Sequence, residues 1–178
     1  MLLVRIFRPD RVFNATKLFI LNYLSEHYVQ SHPIPYDQIF AQSNERSPIV
    51  FILSPGADPL ANVQKLAESV FGAGSNKFRF LALGQGMEND AKALIDGGIL
   101  KGHWVMLQNC HLLTSWLKKL ESIIEGLHKP DKHFRLWLTT EPTNMFPLGI
   151  LQKSLKVVTE PPDGLRQNIR GSFARVND

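Results

Sequence analysis

Five short apolar runs recur along the chain at intervals of roughly twenty to thirty residues: IVFIL (49–53), FRFLAL (78–83), HWVMLQ (103–108), FRLWLT (134–139) and LKVVT (155–159). None alternates strictly between apolar and polar positions, the pattern expected of strands buried on both faces. Between the runs the apolar spacing changes to three and four. Leu60, Val63, Leu66, Ala67 and Val70 predict a helix that stops at Gly72 and Gly74. Trp116, Leu117, Leu120, Ile123, Ile124 and Leu127 predict the most amphipathic helix of the chain. Further helices are expected near 88–96, stopped by Gly97-Gly98, and near 147–153. Strands alternating with helices of this length imply right-handed crossovers, hence an α/β fold with a mostly parallel sheet and helices on both faces.

The first fifty residues read differently. Asn14 is expected to cap a helix carrying Phe13, Leu18, Leu21, Leu24 and Tyr28 near one face, ended by Ser31-His32-Pro33-Ile34-Pro35. The residues up to 47 are rich in turn formers and read as a polar connection. The expected organisation is a helical segment with its connection over 1–47, the sheet core over 48–162, and the start of a truncated helical lid over 163–178.

Composition narrows the field of functions. With 44% apolar and 20% charged residues, 178 residues suffice for a sizeable core. The net charge of +4 is small and dispersed, Lys118-Lys119 and Arg166 with Arg170 read as solvated helix faces, and no RNA-binding signature occurs, so nucleic acid is not an expected partner. The single cysteine, Cys110, excludes an internal disulfide. Charges at Arg5, Arg8, Asp10 and Arg11 interrupt any signal-peptide core, and no run approaches the length of a membrane span. The expectation is a soluble, cytosolic protein.

The turn after the first strand is where a nucleotide-hydrolysing α/β protein carries its phosphate loop, a Gly-rich turn ending in Gly-Lys-Ser/Thr. Here the turn is Ser54-Pro55-Gly56-Ala57-Asp58-Pro59, with no lysine until Lys65. Asp58 before Pro59 is a good helix start, and its carboxylate at the positive helix end would repel a phosphate. The third strand should deliver an acidic residue to a magnesium ion or a water, but it delivers Asn109 and Cys110. The segment 72–77 (GAGSNK) resembles a phosphate loop but precedes a strand, so its amides face the wrong way. Cys110 beside His111 suggests a nucleophile, yet adjacent residues leaving a strand point apart. His103, His111, His128 and His133 lack metal-ligand spacing, so no metal is expected. Thr139-Thr140-Glu141 at the end of the fourth strand can contact a ligand.

The strings SPIVFILSPGADP, LGQGMENDA, HWVMLQNCHLLTSWLKKLE and FRLWLTTEPTNMFPLGILQKSLKVVTEPPDGLRQNIRGSF, in this order, resemble a dynein heavy chain, at the large subdomain of its sixth AAA+ module. The resemblance runs almost end to end and includes FRPDR near the start. TTEPTNMFP and LKVVTEPPDGLRQNIR are more similar to axonemal than to cytoplasmic heavy chains.

This resemblance implies an AAA+ or P-loop-like three-layer sandwich with strand order 5-1-4-3-2. It places 54–59 at a degenerate phosphate-loop position, Asn109 and Cys110 at a degenerate acidic-pair position, and Thr139 or Thr140 near a strand-four sensor. No catalytic residue and no cofactor of its own are expected. The implied role is a non-hydrolysing, force-transmitting module of a ciliary minus-end-directed microtubule motor, in the cytoskeleton of the cytoplasm and axoneme. Its partners would be the first and fifth modules of the same chain, with dynein subunits and microtubules reached through the parent. A module that binds ADP or ATP for regulation is the alternative, and a hydrolase using Cys110 is a third reading.

Overall fold

A computed structural model describes residues 2–25, 28–29, 34–54, 56–127 and 129–159. The expected stop at Ser31–Pro33, the end of the fifth strand's loop at 160–162, and the lid at 163–178 with Arg166 and Arg170 lie outside the described residues. Two compact units divide between Pro35 and Tyr36.

The first unit holds α1 (Leu2–Phe7), a 3-10 turn (Pro9–Arg11) and α2 (Val12–Tyr23). Arg11, not Asn14, stands at the start of α2, Asn14 lies inside the helix, and α2 ends at Tyr23, so Leu24 and Tyr28 lie beyond it. Pro9 opens the 3-10 turn and an Arg8–Asp10 ion pair of 3.1 Å closes over it, so the chain is already wound when it reaches Val12. That early winding leaves no cap for Asn14 to supply. No residue of α1 or α2 is buried.

The second unit is the expected α/β sandwich. It comprises α3 (Tyr36–Gln42), β1 (Ile49–Leu53), α4 (Leu60–Phe71), β2 (Phe78–Ala82), α5 (Glu88–Lys101), β3 (Trp104–Gln108), α6 (Thr114–Glu125), β4 (Arg135–Thr140), α7 (Leu148–Lys153) and β5 (Leu155–Thr159). Read from the β5 edge the strand order is 5-1-4-3-2, and every pairing is parallel. The sheet separates two apolar layers. On one side α3 and α4 cover Ile49, Phe51, Trp104, Met106 and Trp137. On the other α5, α6 and α7 cover Val50, Val105, Leu107, Leu136 and Leu138. Trp137 stacks on Phe51 at 5.9 Å and packs against Trp104 at 5.2 Å.

Three expectations for the second unit need correction. The polar connection contains α3, whose Ile39 is buried and whose Tyr36 and Phe40 flank it one turn apart. Gly97-Gly98 does not stop α5, which continues to Lys101 and ends at Gly102 in the left-handed conformation (φ 67°, ψ 30°). A Cβ on Gly98 would stand 2.6 Å from Val105 Cγ2, so this glycine lets the helix approach the sheet. The runs that become β2 and β5 are not buried on both faces; they are the two edges, with Phe80 and Val158 exposed.

Candidate functional site

In a parallel sheet the loops leaving the carboxyl ends of the strands gather on one rim, where α/β proteins hold ligands. Here that rim is formed by the turn after β1, the 3-10 turn Cys110–Leu113 after β3, and the loop from β4 to α7.

The turn after β1 is closed on itself. The Ser54 amide donates to the Thr159 carbonyl at 3.0 Å and the Ala57 amide donates to the Ser54 carbonyl at 3.0 Å. Gly56 takes φ 85°, a left-handed value that suits glycine. The Asp58 carboxylate accepts the Leu60 amide at 3.0 Å and so occupies the start of α4, as the sequence indicates. Asp58 is exposed, while Pro59 is buried. Tyr36 of α3 reaches the same place; burial raises the pKa of its hydroxyl, a hydrogen bond with Asn62 lowers it, and the charge of Asp58 raises it. Pro55 lies outside the described residues.

The end of β3 and the end of β4 are tied together. Asn109 adopts φ 56° and ψ 43°, the one non-glycine left-handed residue among those described, and its amide donates to Thr139 Oγ1 at 3.0 Å. Asparagine tolerates this conformation better than most side chains. Thr139 is thereby committed to the β3 turn. Thr140, buried on the opposite face of the sheet, donates through Oγ1 to the Glu141 carbonyl at 2.9 Å.

Cys110 is fully buried, and its thiol donates to the Leu107 carbonyl at 3.5 Å. Burial pushes its pKa up to about 12, with hydrogen bonds to the backbone of Thr139 and of Cys110 itself offsetting only part of the rise. His111 turns away: its Nδ1 accepts the Glu141 amide at 3.2 Å, and its Nε2 lies 3.9 Å from Glu141 Oε2. A protonated thiol sealed from solvent and an imidazole engaged elsewhere are not a nucleophilic pair. This geometry speaks against the cysteine-hydrolase reading.

A cleft of about 350 Å³ opens beside β4, lined by Ile52, Thr140, Glu141, Thr143, Asn144 and Phe146 among others. None of the residues 54 and 56–59 lines it. The structure therefore brings Asn109 and Thr139 into contact, puts Thr140 in a cleft, and leaves the turn after β1 outside that cleft. Of the lining residues, Pro142, Thr143, Asn144 and Phe146 carry no signal in the sequence beyond their place in the string TTEPTNMFP. Among the described residues, no three His, Cys, Asp or Glu side chains gather closely enough to hold a metal ion. No helix among them is long and apolar enough to cross a membrane. The segment 72–77 precedes β2, and its Lys77 Nζ lies 5.2 Å from the Phe71 ring.

Comparison with known proteins agrees with this architecture. The family described as "Dynein heavy chain region D6 P-loop domain" matches residues 44–158. The chain is 52% identical over 177 residues to human dynein axonemal heavy chain 10, covering 99% of this chain and 4% of that protein. It is 51% identical over 176 residues to the dynein-1-alpha heavy chain of the flagellar inner arm I1 complex of Chlamydomonas reinhardtii, covering 99% and 4%. Mouse dynein axonemal heavy chain 1 is 40% identical over 181 residues, covering 100% and 4%. The chain thus spans about 4% of the length of these relatives. A P-loop-type sheet of the expected strand order, matched from 44 to 158 and at half identity over nearly its whole length, belongs to the dynein heavy chain family, in the region of its D6 P-loop domain.

Proposed function

We propose that this chain is a non-hydrolysing, force-transmitting AAA+ module of an axonemal dynein heavy chain, the sixth in the ring. The observation that carries the reading is the turn after β1. It lacks a lysine, and the α4 amide of Leu60 that would face a phosphate is taken by the Asp58 carboxylate. Asn109 and Cys110 stand where magnesium chemistry needs an acid, and the Cys110 thiol is sealed away. Turnover and microtubule binding then belong to other parts of the parent chain, a minus-end-directed motor of the cilium. The module's work is mechanical: it passes displacement between the first and fifth modules as a block. A sheet whose central strands β1, β3 and β4 are packed on both faces suits this, since close-packed interiors have few low-energy distortions. The names of the relatives place those proteins in axonemes and flagella, and we assign this chain to the same cytoskeletal setting.

Calorimetric titration of the folded chain with ADP and ATP, each with magnesium, tests the reading. The expected outcome is no saturable heat and no rise in thermal midpoint. Saturable binding that Gly56→Val abolishes would overturn the inert site and make the chain a regulatory nucleotide-binding module.

A further inference from the structure

The opposite, amino-terminal rim of the sheet concentrates positive charge that the proposed function does not use. The parallel registers set Phe78 beside Trp104 and Trp104 beside Arg135, so the residues entering β2, β3 and β4 share one rim. Lys77 and Arg79 come from the start of β2, Lys101 and His103 from the turn between α5 and β3, and Lys132 and Arg135 from the entry to β4. Backbone contacts hold these segments together. The Trp104 amide donates to the Lys77 carbonyl at 2.8 Å and the Asp131 amide donates to the Ile99 carbonyl at 3.1 Å, while within the β4 entry the Arg135 side chain donates through Nη1 to the Lys132 carbonyl at 2.9 Å. A Cβ on Gly102 would lie 2.5 Å from Asp131 Oδ1, which shows how closely the two loops meet.

Lys77, Arg79, Lys101 and Lys132 are exposed, and Arg135 is half-buried. Among the described residues none of these five cations has a carboxylate within 4.0 Å. The nearby acids Asp131 and Glu45 form no ion pair with them. Asp131 Oδ1 accepts the His133 amide at 2.8 Å, and Glu45 acts on Arg135 only through its field. The crowding is felt by His103, whose pKa is lowered first by burial and then by the charges of Lys101, Arg79 and Lys77. The charges of cations from two segments thus act on one imidazole.

We propose that this rim docks an acidic peptide segment, its Asp and Glu side chains meeting Lys77, Arg79, Lys101 and Lys132. The size of the rim favours a peptide over a nucleic acid. Three strand ends at a spacing of about 4.8 Å span only about 10 Å. A duplex-binding protein that makes roughly six to ten phosphate contacts uses about as many cations, more than the five of this rim. Flexible lysine heads on a short rim suit a few carboxylates.

The test titrates the full chain with fluorescent hexaglutamate, with hexalysine and a short oligothymidylate as competitors. Saturable binding of hexaglutamate is expected, weakening as salt is raised. The variant K77E/R79E/K132E should lose about tenfold in affinity or more, and K118E/K119E on α6 should not. The neutralised form K77Q/R79Q/K132Q repeats the comparison without charge reversal should the first variant fold poorly. Binding should also raise the His103 pKa, read by NMR against the same titration of His133. Absence of saturable binding, equal loss in K118E/K119E, or tighter capture of the oligothymidylate would each overturn the proposal. None of these results depends on the nucleotide titration.

Discussion

Helices α2 and α6 each have twelve residues, and α2 is the more apolar of the two, yet only α6 is buried. VFNATKLFILNY carries apolar residues around most of its circumference and leaves Phe13, Leu18, Phe19 and Leu21 exposed. TSWLKKLESIIE confines them to a stripe, and Trp116, Leu117, Leu120 and Ile124 sink into the layer over β3 and β4. Apolar content measures how much surface a helix can hide. Spacing, together with a covering surface of matching shape, decides how much it does hide. The contrast holds for the units as wholes: one has a core on each side of a sheet, and the other has no buried residue in either helix.

Leu117→Ala is the strongest way to break that comparison. Leu117 is fully buried, so truncation should cost about 3 kcal/mol, the transfer term plus the cavity left behind. Denaturant titration of the sheet unit reads the loss directly. A cost below about 1 kcal/mol would mean that the α6 layer is looser than its packing indicates.

Alkaline pH sharpens the comparison by asking how completely the core excludes charge. Unfolded, the Cys110 thiol ionises near its ordinary value of 9.0; folded, it holds its proton to about 12. The native state therefore binds the extra proton in this window, and stability falls as pH rises through it. The slope is about 1.4 kcal/mol per pH unit from this group. Other groups titrate there too, so the informative quantity is the difference between the parent chain and Cys110→Ala at each pH. Identical pH profiles for the two would mean that the thiol is not sealed.

The smallest effect belongs to α2. Leu18 is 59% exposed, and Leu18→Ala should change stability by less than about 0.5 kcal/mol. A loss like that of Leu117→Ala would show that α2 is covered in the folded protein and would dissolve the contrast.

Much of the sheet unit was legible because its signals are local. Continuous apolar runs marked all five strands to within one residue at either end, and the 3.6-residue stripe marked α6. The order of the strands came from the family resemblance, since no local pattern distinguishes a central strand from an edge. That is also why Phe80 and Val158 came out exposed. Gly97-Gly98 read as a stop because glycine weakens helices, but Gly98 answers to the Val105 side chain lying across from it. Helix α3 hid among prolines, although Tyr36, Ile39 and Phe40 already carried its spacing. At the candidate site, the missing lysine and the Asp58 cap could be read from sequence. The pairing of Asn109 with Thr139 could not, for it joins residues thirty positions apart through a backbone turn.

The chain's three tryptophans, Trp104, Trp116 and Trp137, all lie in the two layers of the sheet unit, none more than 4% exposed. Indole emission from the native protein should therefore be blue and shielded from iodide quenching. It will follow the melting of the sandwich and stay silent about α1 and α2, which carry no indole. Far-ultraviolet dichroism sees the helices of both units. Heating monitored by both signals at once then separates two units that melt apart, whose curves diverge, from a single cooperative block, whose curves coincide.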